Sequence, residues 1–187
     1  MGRVVVTEFV SLDGVMEGPG GDDGFVRGAW SFEFDRGEEG DAFKTDETMD
    51  ADALLLGRRT YEGFAAAWPG REGEFADKFN TMPKYVVSST LKDPGWENTT
   101  VVSGDPAQEV ARLRDQHDGD LIVHGSGQLV RALVAAGIVD ELRLMVFPVV
   151  LGTGKKLFGD TDDAQRMRLK ESAAVGDGVL TLVYEKA

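Results

Sequence analysis

Two short segments carry most of the residues able to do chemistry, and each lies where an apolar run gives way to a helical one. The first is Leu56-Gly57-Arg58-Arg59-Thr60-Tyr61-Glu62 and the second is Val123-His124-Gly125-Ser126-Gly127-Gln128. The start of a helix presents unpaired N–H groups and a partial positive charge, so each junction suits an anion. Gly57, Gly125 and Gly127 would let the backbone approach a phosphate closely. Thr60 could cap its turn, and Arg58 and Arg59 supply permanent charge with bidentate geometry. Taken singly, a Gly-x-Gly after a strand is also an ordinary tight turn, and adjacent arginines are also ordinary surface. Two such junctions at strand carboxyl ends in one sheet fit a ligand with linked phosphates, as in a dinucleotide. No Gly-x-x-x-x-Gly-Lys-Ser/Thr segment occurs, which argues against a Walker-type ATPase or kinase.

The other candidates are single side chains. His124 ends its strand, where an imidazole titrating near neutrality could act as general acid in reduction of an imine or carbonyl. A hydrogen-bonded structural histidine reads from the same position. Glu39, Asp41, Asp46 and Glu47 crowd one predicted helix, which could offer a carboxylate to a substrate or simply a solvated face. Lys155 and Lys156, after Gly154, could hold a substrate phosphate or be an exposed basic pair. Trp30, Phe32 and Phe34 alternate as in a short strand or an aromatic lid, whereas Tyr61, Phe64 and Trp68 recur at helical spacing as a buried stripe.

These residues need a scaffold, and the pattern predicts one. Val4 to Val10 reads as a strand running into Ser11-Leu12-Asp13-Gly14, and a glycine-rich loop follows to about residue 35. Helices are expected over 38–49, 59–67, 74–82, 107–114 and 128–136, the fourth capped by Asp105 with Pro106 behind it and the last ended by Gly137. Strands are expected over 53–56, 85–88, 100–102, 121–123 and 142–150, then an antiparallel pair, 168–175 and 179–184, about Gly176-Asp177-Gly178. Alternating strands and helices with a closing hairpin imply an α/β fold: a mostly parallel sheet, helices on both faces and an antiparallel edge. With 187 residues, no internal repeat and no low-complexity linker, one domain spanning 1–187 is expected.

Composition narrows the chemistry further. The net charge is −13, with 13 acidic and 4 basic side chains over residues 1–50 and 20 and 16 over the rest, so an anion site is expected beyond residue 50. Such a field disfavours nucleic acid and anionic membranes. The absence of cysteine excludes disulfides, thiol nucleophiles and cysteine-ligated metals, and two histidines make a histidine metal site improbable, so no metal is expected. The N-terminus turns acidic at Glu8, before signal-peptide length is reached, and the reading is a cytoplasmic protein.

In chain order, five segments resemble the dihydrofolate-reductase-like superfamily: Ser11-Leu12-Asp13-Gly14, Gly57 to Glu62, Val86-Val87-Ser88-Ser89, His124 to Gly127, and Pro148-Val149-Val150-Leu151-Gly152-Thr153-Gly154-Lys155-Lys156-Leu157-Phe158. The resemblance is closer to the C-terminal reductase domain of the bifunctional riboflavin-biosynthesis deaminase-reductase, in free-standing form. It implies the three-layer fold of that superfamily, a homodimer formed through the sheet edge, and an NADPH cofactor. It puts Arg58, Ser88 and Ser89 at the adenosine 2′-phosphate. Arg59 and Thr60 would flank the diphosphate on one side and Gly125, Ser126, Gly127 and Gln128 on the other, with Gly57 in the first junction. Leu12, Asp13 and Gly14 would approach the nicotinamide. Asp13 and His124 are the expected catalytic residues, and Glu39, Asp41, Gly152, Gly154 and Lys155 the expected substrate residues. The implied reaction is reduction of 5-amino-6-(5-phosphoribosylamino)uracil. The alternatives are a dihydrofolate or pterin substrate, or a non-catalytic dimer binding a nucleotide or heterocycle. The deaminase half has no counterpart, because its zinc signature requires cysteines.

Overall fold

A computed structural model describes residues 1–21, 24–159 and 164–187. Eight strands form one sheet in the order β4-β3-β2-β5-β1-β6-β8-β7. They are β1 (Arg3–Ser11), β2 (Ala51–Gly57), β3 (Lys84–Val87), β4 (Thr99–Val102), β5 (Asp120–His124), β6 (Glu141–Phe147), β7 (Met167–Val175) and β8 (Val179–Lys186). The first six in that order pair parallel, and β8 and β7 close the sheet antiparallel. This is the α/β architecture the sequence pattern predicts.

The central strands are apolar on both sides because helices cover both. On one face, α4 (Pro106–Gln116) and α5 (Gly127–Ala135) bury Val110, Leu113, Leu129 and Leu133 against Val4, Val6, Leu121 and Val123. On the other, α2 (Arg58–Ala67) and α3 (Glu74–Thr81) pack Tyr61 and Phe79 on Leu54, Leu56 and Ile122. Next to them α1 (Gly37–Met49) lies across β1 and the antiparallel edge, with Phe43 joining a cluster around Phe147 and Val175. Each fully buried aliphatic side chain here contributes about 1.5–3 kcal/mol. Asp105 caps α4 as expected, its Oδ1 accepting from the Gln108 N–H at 3.0 Å. No helix among the described residues is long and apolar enough to cross a membrane.

Two expectations are corrected. The sixth strand ends at Phe147 rather than Val150, since Pro148 has no N–H for the ladder and Val149 turns its N–H back to the Phe147 carbonyl. Trp30, Phe32 and Phe34 do not form a strand. Trp30–Glu33 is a 3-10 turn that buries Trp30, with its Nε1 donating to the Glu17 carbonyl, and leaves Phe32 exposed. This loop is tied to the sheet edge: the Asp177 N–H donates to the Asp35 carbonyl at 2.7 Å, and Asp177 Oδ2 accepts from the Asp35 N–H at 2.8 Å. Gly176 between β7 and β8 is needed for that clasp, since a β-carbon there would overlap Asp35.

Candidate functional site

The parallel register brings the two glycine junctions side by side. Strand β2 lies between β3 and β5, so the start of α2 after Gly57 and the start of α5 after His124 are neighbours at the sheet's carboxyl end. They are hydrogen-bonded to each other. The Gly57 N–H donates to Ser126 Oγ at 2.9 Å, and the Ser126 N–H donates to Thr60 Oγ1 at 2.9 Å. Thr60 therefore spans the junctions instead of capping its own turn. Ser126 holds a left-handed conformation (φ 60°), a strained one for a residue with a β-carbon, and its Oγ also donates to the His124 carbonyl. Gly125 shares the positive φ, and a β-carbon there would come within 3.0 Å of Thr60. Neither α2 nor α5 has a side-chain cap, so first-turn N–H groups of both remain available.

Arg58 and Arg59 are exposed at the rim, Arg58 loosely paired with Glu62 at 3.2 Å. Gly57 pairs with Val87, which sets Ser88 beside Arg58. Ser88 Oγ accepts from the Thr90 and Leu91 N–H groups, and Ser89 is exposed. Gln128 is exposed on the first turn of α5. These donors fit a dinucleotide: two helix starts for a diphosphate and a rim guanidinium with hydroxyls for a further phosphate. Met16 lies over Gly127, its Sδ 2.7 Å from where a β-carbon would sit.

The loop residues have other work. Asp13 accepts from Ser11 Oγ at 2.7 Å, the Leu151 N–H at 3.0 Å and the Gly152 N–H at 2.8 Å, and these donors, Ser11 first, lower its pKa to about 2. It is thus an anion that fastens the Pro148–Gly154 turn to β1. Gly152 belongs to that clamp. At Gly154 (φ 117°) Val15 and Phe25 fill the space, 2.6 and 2.9 Å from where a β-carbon would sit, and Lys155 is ion-paired with Glu17. Lys155 first, and more weakly Arg59, hold the Glu17 carboxyl below the ordinary carboxylate range. Leu12 is 61% exposed, and Gly14 adopts φ 80° at the turn.

The acidic helix sorts itself by burial. Glu39 and Asp46 face solvent. Asp41 pairs with Arg36 at 2.6 Å and borders a cleft of about 190 Å³ with Phe9, Phe32 and Phe34. Glu47 is buried, accepting from Thr7 Oγ1 at 2.7 Å and ion-paired with Lys44, which also donates to Thr7 at 2.6 Å. Thr7 is the register partner of His124.

His124 is edge-on to Phe79 with ring centroids 5.6 Å apart. Its Nε2 is sealed from solvent and has no partner. Burial first, then the nearby Lys44 charge, hold its pKa well below the ordinary histidine range, so it is neutral at pH 7 and is not an imidazolium acid. Another buried carboxyl is one the sequence reading missed. Glu8 on β1 is 5% exposed, its Oε1 is unpartnered, and burial pushes its pKa well up. A signal was present: Val4, Val6, Glu8 and Val10 share one strand face, and Glu8 breaks its apolar run. No group of three metal-ligating side chains occurs among the described residues.

With this geometry in view, the comparisons agree with the fold. The model of the RibD C-terminal domain family matches residues 3–181. YyaP of Bacillus subtilis (strain 168), itself uncharacterized, is 28% identical over 188 residues, covering 97% of this chain and 94% of YyaP. The crystal structure of a "Putative riboflavin biosynthesis protein" from Shewanella sp. PV-4 superposes with a TM-score of 0.78 at 22% identity, covering 99% of each chain. Dihydrofolate reductase from Enterococcus faecalis, complexed with NADP(H), superposes at 0.59 with 15% identity, covering 98% of this chain and 96% of that one.

Proposed function

The chain belongs to the RibD C-terminal domain family, a reductase-like family, and from that premise we propose that it is an NADPH-dependent reductase of a small heterocycle. The observation that carries this reading is the latch between the junctions, Gly57 to Ser126 and Ser126 to Thr60, which fixes two helix starts at one spacing before any ligand arrives. Preorganised donors of this kind bind a diphosphate without the cost of assembling the site. The cofactor, when bound, supplies the hydride. The chain's part is to bind and orient: Arg58 with Ser88 and Ser89 at the 2′-phosphate, Arg59 with the Gly125–Gln128 turn at the diphosphate. The substrate we favour is 5-amino-6-(5-phosphoribosylamino)uracil, with dihydrofolate as the rival.

Fluorescence titration with NADPH and NADH tests the reading, followed by turnover with each substrate. Arg58→Ala is expected to weaken NADPH by about 1.5–3 kcal/mol, the worth of a charge-assisted contact, and to leave NADH nearly unchanged. Absence of NADPH affinity in the parent chain sinks the proposal. One observation favours a non-catalytic binding protein instead: neither Asp13 nor His124 holds a transferable proton at pH 7. Tight NADPH binding without oxidation in the presence of either substrate would select it. We also propose a homodimer. Leu180 (41% exposed), Leu169 and Tyr184 share an edge-sheet face beyond α5, and a second copy would cover it. Sedimentation showing a monomer at micromolar concentration would refute this.

A further inference from the structure

Glu8 sits one residue beyond the Thr7–His124 register pair, beside the Gly125 turn that forms one wall of the cradle. Only 5% of it reaches solvent, yet Oε1 has no hydrogen-bond partner. A buried, unmatched polar atom costs about 1–3 kcal/mol, so its retention at a strand end beside a binding turn calls for a ligand atom that completes it.

The form of the carboxyl says which atom. The Gly125 backbone, at the start of the neighbouring turn, acts on the group in favour of ionisation. The charged groups acting on it are both from α1: Lys44, which favours ionisation, and Glu47, which opposes it, with burial outweighing both in favour of the neutral acid. Neutral His124 lies on the adjacent strand. A neutral carboxyl has an O–H to give, and an O–H requires an acceptor.

On the basis of the reductase reading, we propose that Glu8 is a binding residue whose carboxylic acid O–H donates to an amide-type carbonyl of the ligand ring in the cradle. Two sources carry that chemistry: the nicotinamide carboxamide of the cofactor, and the ring carbonyl of a uracil-like substrate. Because Oε1 is sealed in this structure, the ligand reaches it by displacing covering chain. Met16 is seated over Gly127, on the turn that follows Gly125.

The test uses the full-length protein and three probes: NADPH, 2′-phospho-ADP-ribose, which lacks the nicotinamide, and 5,6-diaminouracil. Each is titrated from neutral to alkaline pH against the parent, Glu8→Gln and Glu8→Leu. Gln keeps a donor and an acceptor at every pH, so Glu8→Gln is expected to bind like the parent at neutrality. The parent alone loses affinity as rising pH ionises Glu8. Glu8→Leu is expected to lose about ten-fold. If the cofactor is the source, these effects appear for NADPH and not for 2′-phospho-ADP-ribose. If the substrate is the source, they appear for 5,6-diaminouracil alone. Infrared difference spectra add a readout independent of folding in the leucine variant: a protonated-carboxyl stretch at neutral pH, absent in Glu8→Gln, that shifts when the ligand binds. Failure of both nucleotide probes to bind would sink the cofactor reading and leave 5,6-diaminouracil to decide on Glu8. An ionised Glu8 at neutral pH, or a carboxyl band that none of the three probes moves, overturns the proposal for Glu8 itself.

Discussion

Lys84 and Glu8 are both titratable side chains buried in the same sheet, and they are treated in opposite ways. Lys84, at the start of β3, spends all three ammonium donors on backbone carbonyls: Asn80 at 2.5 Å, Met82 at 2.9 Å and Glu97 at 3.1 Å, with the Trp96 ring 4.4 Å away. It ties the end of α3 to the approach to β4. At the other end of the sheet, Glu8, Glu47 and His124 each leave a buried polar atom without a partner. A completed group holds the fold together and has nothing left to offer a ligand. An incomplete one weakens the fold by itself and is understood through what it binds.

The contrast breaks most visibly at Lys84. Lys84→Met leaves three carbonyls without a donor and is expected to cost about 3 kcal/mol in urea unfolding, with NADPH affinity intact in the folded fraction. Burial lowers the Lys84 pKa from 10.5 to about 8, so its charge opposes folding below pH 8. That penalty is relieved as pH rises from about 8 towards 10.5, and the parent should gain stability over the variant across that window. Equal pH slopes for the two chains would refute the assignment.

Ser126→Ala removes the Gly57 half of the latch, leaving the Ser126 N–H on Thr60, without touching the core. Stability should fall by about 1 kcal/mol while nucleotide affinity falls further than that, because the spacing of the two helix starts is then held by one bond in place of two. Calorimetry that finds affinity unchanged would show the spacing is kept by other means. The smallest effect is expected at His124. Its folded pKa lies below its unfolded value, so the parent loses stability as pH falls below 6.5. His124→Gln should match the parent at pH 7 and outlast it in acid, as thermal melts across that range would show. A melting curve that is lower for the variant at both values would assign His124 a structural bond that its unpartnered Nε2 denies.

Much of the scaffold was legible because it follows local rules. Continuous apolar runs gave the central strands and alternation the closing pair, Asp105-Pro106 gave the start of α4, and glycines after apolar runs gave both junctions. The latch was not legible, since Gly57 and Ser126 are 69 residues apart and only the strand order makes them neighbours. Asp13 was visible as a residue but not in its role, which depends on N–H groups 138 and 139 positions away. Glu47 stood among four acidic residues that spacing alone could not rank, and burial separated it. Glu8 was hidden by its own strand, where the apolar run on either side drew attention from the single carboxyl inside it.

The clasp between Asp35 and Asp177 joins the loop that borders the aromatic cleft to the tip of the β7–β8 hairpin. The hairpin is the outermost part of the sheet, away from both junctions. Substitutions that tilt or shorten it therefore pull on the rim of the cleft without altering a residue inside it, and the shape of the cleft can be changed from the periphery while the cradle stays as it is.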